Sequence, residues 1–182
     1  PYLVAKQIAS LGYKVHVINR GVVGATIADV ESGQLGSLDS LKPGVISLEV
    51  GSNDATHFTD YTEYGRHMAA VLNAIIKNPS TLVIVANTPD LSVVPAMQPG
   101  LASITAWRAR EQNKILENSV AGSPIQIVDL YANGKLDGAN YYASDEFHPS
   151  ATGYAKWAKL YNPAIAALQK LSFRFRNLPP IG

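Results

Sequence analysis

Residues 41–54 read Leu41-Lys42-Pro43-Gly44-Val45-Ile46-Ser47-Leu48-Glu49-Val50-Gly51-Ser52-Asn53-Asp54, and their reading decides the fold. An apolar run opens after Pro43-Gly44 and closes at Gly51, the pattern of a strand bounded by turn formers. A long helical pattern follows at about 61–77, closed by Asn78-Pro79, and TLVIVAN (81–87) is another strand-like run. Strand, helix and strand in this order make a parallel βαβ unit, the building block of a doubly wound α/β sheet.

The same alternation extends in both directions. Toward the N-terminus, KVHVIN (14–19) is a β-branched run that reads as a buried strand. It is preceded by a helix over 2–11 that carries Leu3, Ile8 and Leu11 at roughly helical spacing and stops at Gly12. The loop RGVVGAT (20–26) and a short helix near 27–35 lead into the central run. Toward the C-terminus come a loop with three prolines (88–100), a helix at about 102–121, the strand PIQIVDLY (124–131), a loop to Asp145 and a helix over about 150–170. No repeat or linker interrupts the pattern, so residues 1–170 read as one domain and 171–182 as a tail. Doubly wound sheets bind ligands at the C-terminal ends of their strands. The loops to search are therefore 20–26, 51–59, 88–100 and 131–149.

Composition narrows the chemistry. The 182 residues are 47% apolar and 16% charged, with a net charge of +1. That balance offers no field to steer a polyanion. Only Lys170–Arg176 mixes cations with aromatics, which reads as a solvated tail, so no nucleic-acid partner is expected. The absence of cysteine excludes disulfides, a thiolate nucleophile and cysteine-bound zinc. No apolar run approaches the roughly 18 residues of a membrane span. The abrupt start, PYLVAKQIASLG, is expected to follow something upstream, which leaves the compartment open.

Three loops carry residues with chemical potential. Asp145-Glu146-Phe147-His148-Pro149 places a carboxylate and an imidazole three apart. The carboxylate can fix one ring nitrogen and leave the other to take a proton from a nucleophile. The plainer reading is a helix cap at Asp145 or Ser150 beside a surface histidine. Gly51-Ser52-Asn53-Asp54 ends a strand, where glycine permits a sharp turn and Asn53 can aim an N–H at a developing oxyanion. It also fits an ordinary turn. In Asn19-Arg20-Gly21-Val22-Val23-Gly24-Ala25-Thr26 a glycine can present its backbone N–H, or simply close a tight βα turn.

Together these blocks, in the order Gly, Gly-x-Asn-Asp, Asp-x-x-His-Pro, resemble the SGNH hydrolases, the GDSL-like esterases and lipases, over about residues 1–170. The resemblance implies a three-layer αβα flavodoxin-like fold with a parallel sheet. It also implies hydrolysis of small carboxylic esters through an acyl-serine intermediate, with no cofactor or metal. Carried over, Gly24 and Asn53 are oxyanion donors and Asp145 and His148 are triad members. Gly24 is preferred to Gly21 by the pattern Asn-x-Gly-x-x-Gly-x-Thr.

One departure is large. The family's Gly-Asp-Ser-Leu block ends the first strand, ahead of the helix matching residues 2–11, and no such block precedes Pro1. Gly36-Ser37-Leu38-Asp39-Ser40 follows no strand and reads as a loop, and Ser52 lies in the oxyanion loop. The expectation is a domain with acid, base and oxyanion donors but no nucleophile, inactive as it stands and missing its first, central strand. KVHVIN and VISLEV would then each expose an unpaired edge. The alternative left open is a non-catalytic flavodoxin-like binding domain.

The remaining candidates are weaker. Leu91–Met97 reads as an acyl-pocket wall or as ordinary packing, and Tyr131, Tyr141 and Tyr142 as stacking or packed aromatics. His57 and His67 lack a third metal ligand at a convincing spacing. His16 reads as structural, and Arg108 with Glu111 as a solvated pair.

Overall fold

The computed structural model describes residues 1–176. Helix α1 (Tyr2–Ser10) buries Val4 and Ile8. An irregular stretch leads to α2 (Ile27–Asp29), where a capping box forms: Thr26 donates its N–H and hydroxyl to Asp29 Oδ2 at 2.8 and 2.6 Å. A π-helical turn (Val30–Gln34) and α3 (Leu38–Leu41) precede β1 (Val45–Glu49). Next come α4 (Ser52–Thr56), α5 (Tyr61–Ile75), β2 (Leu82–Ala86) and a 3-10 turn (Leu91–Val93). Helix α6 (Pro99–Val120), β3 (Gln126–Val128), α7 (Leu130–Asn133), α8 (Ala151–Leu160) and α9 (Asn162–Arg176) complete the order.

Among the described residues the sheet has three parallel strands in the order β1-β2-β3, with Val45 opposite Leu82 and Ile84 opposite Gln126. Alternation along β2 feeds two cores. Leu82, Ile84 and Ala86 pack with α1, α8 and α9, whereas Val83 and Val85 pack with α5 and α6. Helices thus cover both faces, and the architecture is the expected three-layer α/β sandwich. Burying a side chain such as Ile84 is worth about 1.5–3 kcal/mol, so this central strand anchors both layers.

Three expected elements need correction. KVHVIN (14–19) is irregular here, with Val15 and Ile18 exposed. Strand formation depends on a hydrogen-bonded neighbour, and among the described residues nothing pairs with this segment or with the outer edge of β1. The helix expected over 150–170 breaks at Tyr161, because Pro163 has no N–H for the preceding turn. Helix α6 begins earlier than expected, with Pro99 in its first turn. The segment expected as a tail continues α9 through Arg176, and residues 177–182 lie outside the described part.

Candidate active site

The loop between α7 and α8 is built to hold a short motif still. Ser150 N donates to Tyr141 O (2.7 Å) and Ala143 N to His148 O (2.8 Å), closing an antiparallel bridge between Tyr142 and Pro149. Ser150 caps α8 through Gly153 N (3.2 Å) and also donates to Asn140 O (2.8 Å). Gly153 is required, since a Cβ there would lie 2.3 Å from Tyr141 O. Ala96 N donates to Glu146 O (3.1 Å), tying this loop to the one after β2.

At its tip, His148 Nδ1 meets Asp145 Oδ2 at 2.6 Å, while Asp145 Oδ1 accepts the Phe147 and His148 N–H groups, each at 3.0 Å. These bonds, led by the one from the imidazole, hold the Asp145 carboxyl down at about 2. An ionised carboxylate only accepts, so Nδ1 carries the proton and Nε2 is left to act. Both side chains are half exposed, 52% for His148 and 50% for Asp145, so the ring is reachable from the cleft.

The opposite wall begins at Gly51. Its φ of +124° belongs to glycine, and a Cβ there would fall 2.2 Å from Thr88 Oγ1. The turn starts α4 and sends Asn53 toward the loop 20–26, where Asn53 Nδ2 donates to Ala25 O at 2.9 Å. One amide hydrogen is so engaged, and a second remains. Within that loop Gly21 N donates to Asn19 Oδ1 (3.1 Å), and Ala25 N to Val22 O (3.2 Å), with Gly24 at φ +80° inside the turn. Gly21, Val22 and Ala25 line the cleft, whereas Gly24 is not among its lining residues.

The cleft of about 190 Å³ brings His148 and Asn53 together with Ser52, and Leu91, Val93 and Val94 form an apolar wall. Tyr142, nearly buried, donates to Val93 O (3.2 Å) and fixes that wall. Val30, Gln34, Glu49, Tyr154 and Trp157 also line it and escaped the sequence reading. Tyr154 and Trp157 carried a usable signal, because helical side chains lean back toward the N-terminus, here toward His148.

Other candidates fall elsewhere. Ser37 and Ser40 are not lining residues; Ser40 Oγ donates to Ser37 O at 3.0 Å. His67 pairs with Glu31 (2.5 Å) and receives Arg66 (2.8 Å), and among the described residues no three acidic or imidazole groups could hold a metal. His16 is exposed. Arg108 differs from its expected pairing with Glu111. It lies over the rings of Tyr61 (4.7 Å) and Phe58 (5.2 Å) and donates to Thr59 O, while Glu111 pairs with Lys114 at 2.9 Å.

The fold is a three-layer α/β sandwich of SGNH hydrolase type. Among solved structures, the lipase/acylhydrolase from Enterococcus faecalis superposes with a TM-score of 0.70 at 21% identity, over 100% of this chain and 87% of that one. The family 3 carbohydrate esterase of Clostridium thermocellum gives 0.68 at 20% identity, over 92% and 86%. At such identities the likeness is one of fold. The model of the GDSL-like lipase/acylhydrolase family matches residues 1–156, and the chain belongs to that family. A curated relative, a GDSL-like esterase of Mycobacterium tuberculosis, is 25% identical over 190 residues, covering 97% of this chain and 59% of the relative. The chain thus spans less than two thirds of that relative's length.

Proposed function

We propose that this domain supplies the acid–base pair and an oxyanion donor of a carboxylic ester hydrolase that works through an acyl-serine intermediate. The observation that carries the reading is the 2.6 Å contact between Asp145 and His148 Nδ1, with Nε2 free on a cleft shared with Asn53. In this reading His148 takes the proton from the serine hydroxyl as the serine oxygen attacks the ester carbonyl. It then returns the proton to the departing alcohol, and repeats the exchange with water to release the acid. Asp145 holds the ring and stabilises the imidazolium. The second Asn53 N–H receives the oxyanion, whereas Gly24, outside the cleft lining, is left out of that role. Substrates are small esters, with Leu91, Val93 and Val94 offering the apolar wall for an acyl group.

The nucleophile is proposed to arrive on a strand ending in Gly-Asp-Ser, paired along the open edge of β1. The observation that supports this reading is that the edge has no partner among the described residues; Ser52, the serine lining the cleft, starts α4 and is the rival that the test addresses. Two proteins test it, residues 1–182 alone and the same residues preceded by such a strand. Each is assayed on a short-chain activated ester and labelled with a fluorophosphonate. Activity and labelling are expected only with the added strand. Labelling of residues 1–182 alone that disappears in Ser52→Ala or Ser40→Ala would place the nucleophile inside this sequence and overturn the reading.

A further inference from the structure

A carboxylic acid lies fully buried directly beneath the oxyanion side of the cleft. Asp54 follows Asn53 in α4 and is fully buried. Its Oδ2 accepts the Ile27 N–H at 3.0 Å, while Oδ1 has no hydrogen-bond partner among the described residues. Burial pushes this carboxyl up from its ordinary range. Packing alone does not account for such a residue, because an apolar side chain of similar volume would fill the space without the cost of desolvating a carboxyl.

What Asp54 holds is informative. Ile27 opens α2, and its N–H is one of the donors a helix start leaves without an internal partner. Two residues earlier, Ala25 offers its carbonyl to Asn53 Nδ2 at 2.9 Å. Adjacent residues of α4 therefore grip the glycine loop with opposite polarity: Asn53 gives to residue 25 and Asp54 receives from residue 27. The loop's other bonds are local, such as Gly21 N to Asn19 Oδ1, Ala25 N to Val22 O and the Thr26–Asp29 box, apart from Arg20 to Gly36 O (2.5 Å). Behind α4, the buried Gln112 of α6, with its amide turned to match its neighbours, donates to Gly51 O (3.1 Å) and accepts from Ala55 N (3.2 Å). The turn that launches α4 is thus held from the far side.

A primary amide is planar, so anchoring one hydrogen fixes the direction of the other. We propose that Asp54 is a positioning residue: by holding the Ile27 N–H it sets the Ala25 carbonyl, and that carbonyl turns the Asn53 amide so that its second N–H faces the cleft. The inference rests on the oxyanion role proposed for Asn53, and it adds the group that aims the donor.

The test reads geometry and rate separately. In the wild-type 182-residue protein, a scalar coupling across the hydrogen bond from Ile27 N to Asp54 Cγ is expected by NMR; its absence overturns the proposal without any mutant. In Asp54→Ala the Asn53 side-chain amide and the Ile27 N–H should exchange with solvent about tenfold faster or more, as expected when a bond that blocks opening is lost. Asp54→Asn, which keeps an acceptor for Ile27, should recover most of the protection. In the active esterase, Asp54→Ala should lower kcat by about 10–100-fold with KM little changed, the scale of a misplaced donor. Asp54→Asn should recover most of that rate. Because Asp54 acts through Asn53, adding Asp54→Ala to Asn53→Ala should slow the enzyme no further. Multiplying losses, or an Asn53 amide as protected in Asp54→Ala as in the wild type, would overturn it. If Asn53→Ala itself leaves kcat intact, the donor role fails, and the exchange measurement still decides whether Asp54 clasps the loop.

Discussion

Strands β2 (Leu-Val-Ile-Val-Ala, 82–86) and β1 (Val-Ile-Ser-Leu-Glu, 45–49) lie side by side in register, yet they live in different surroundings. All five residues of β2 are buried, whereas none of β1 is, and Ser47 and Glu49 are exposed. The difference is one of neighbours. Among the described residues β2 has a partner on each side and β1 has one. KVHVIN, comparably apolar, pairs with no strand among the described residues and forms none. Apolar letters make a segment able to be a core strand, but a hydrogen-bonded neighbour makes it one.

The candidate site divides along the same line. His148 and Asp145 stand on the flank toward β3, where Asn87 joins Asp129 at 2.8 Å and Ala96 N donates to Glu146 O at 3.1 Å. Asn53 and the glycine loop stand on the open flank, beyond the free edge of β1.

The largest expected effect breaks the flank toward β3. In the active esterase, His148→Ala should lower kcat by several orders of magnitude, with Asp145→Asn costing less. Steady-state kinetics on an activated acyl ester checks it, and more than about a tenth of the wild-type rate left in His148→Ala would remove the acid–base role from this flank. On the open flank, Asn53→Ala should lower kcat by about 10²–10³ and leave KM close to normal. A normal kcat with a raised KM would make Asn53 a substrate-binding group.

A third measurement compares the strands themselves. Ile84→Ala in β2 should destabilise by about 2–5 kcal/mol, the range for a fully buried aliphatic side chain. Ile46→Ala in β1, only partly buried, should cost about 1 kcal/mol. Urea unfolding of the two variants gives both numbers, and equal losses would mean that β1 is as well packed as β2.

The smallest effect concerns Asp145. Its folded pKa of about 2 lies below the ordinary carboxylate value of about 3.9, so its contribution to stability is complete above about pH 4 and fades as pH falls through 2. Carboxyl ¹³C shifts should show that midpoint, and His148→Ala should move it back toward 3.9. A midpoint near 4 in the wild type would mean that the imidazole contact is not held in solution.

The layered α/β order and the Asp145–His148 pair were legible because both are local. Alternating strand and helix periods, and a carboxylate three residues from an imidazole, need no knowledge of distant contacts. The Gly51 turn was legible for the same reason, since its positive φ admits little else. The far side of the site was not. That Asp54 holds Ile27, that Gln112 braces α4, that Arg108 leaves Glu111 for two aromatic rings, and that Tyr154 and Trp157 face the cleft all depend on contacts between segments far apart in the chain. The same holds for KVHVIN, whose letters describe a strand and which has no strand partner among the described residues. By itself the sequence determined which segments are able to form strands and helices and which short motif sets a carboxylate beside an imidazole. Tertiary structure decided which strands are paired and which donors are aimed, because hydrogen bonding and burial between distant segments exist only once the chain has brought them together.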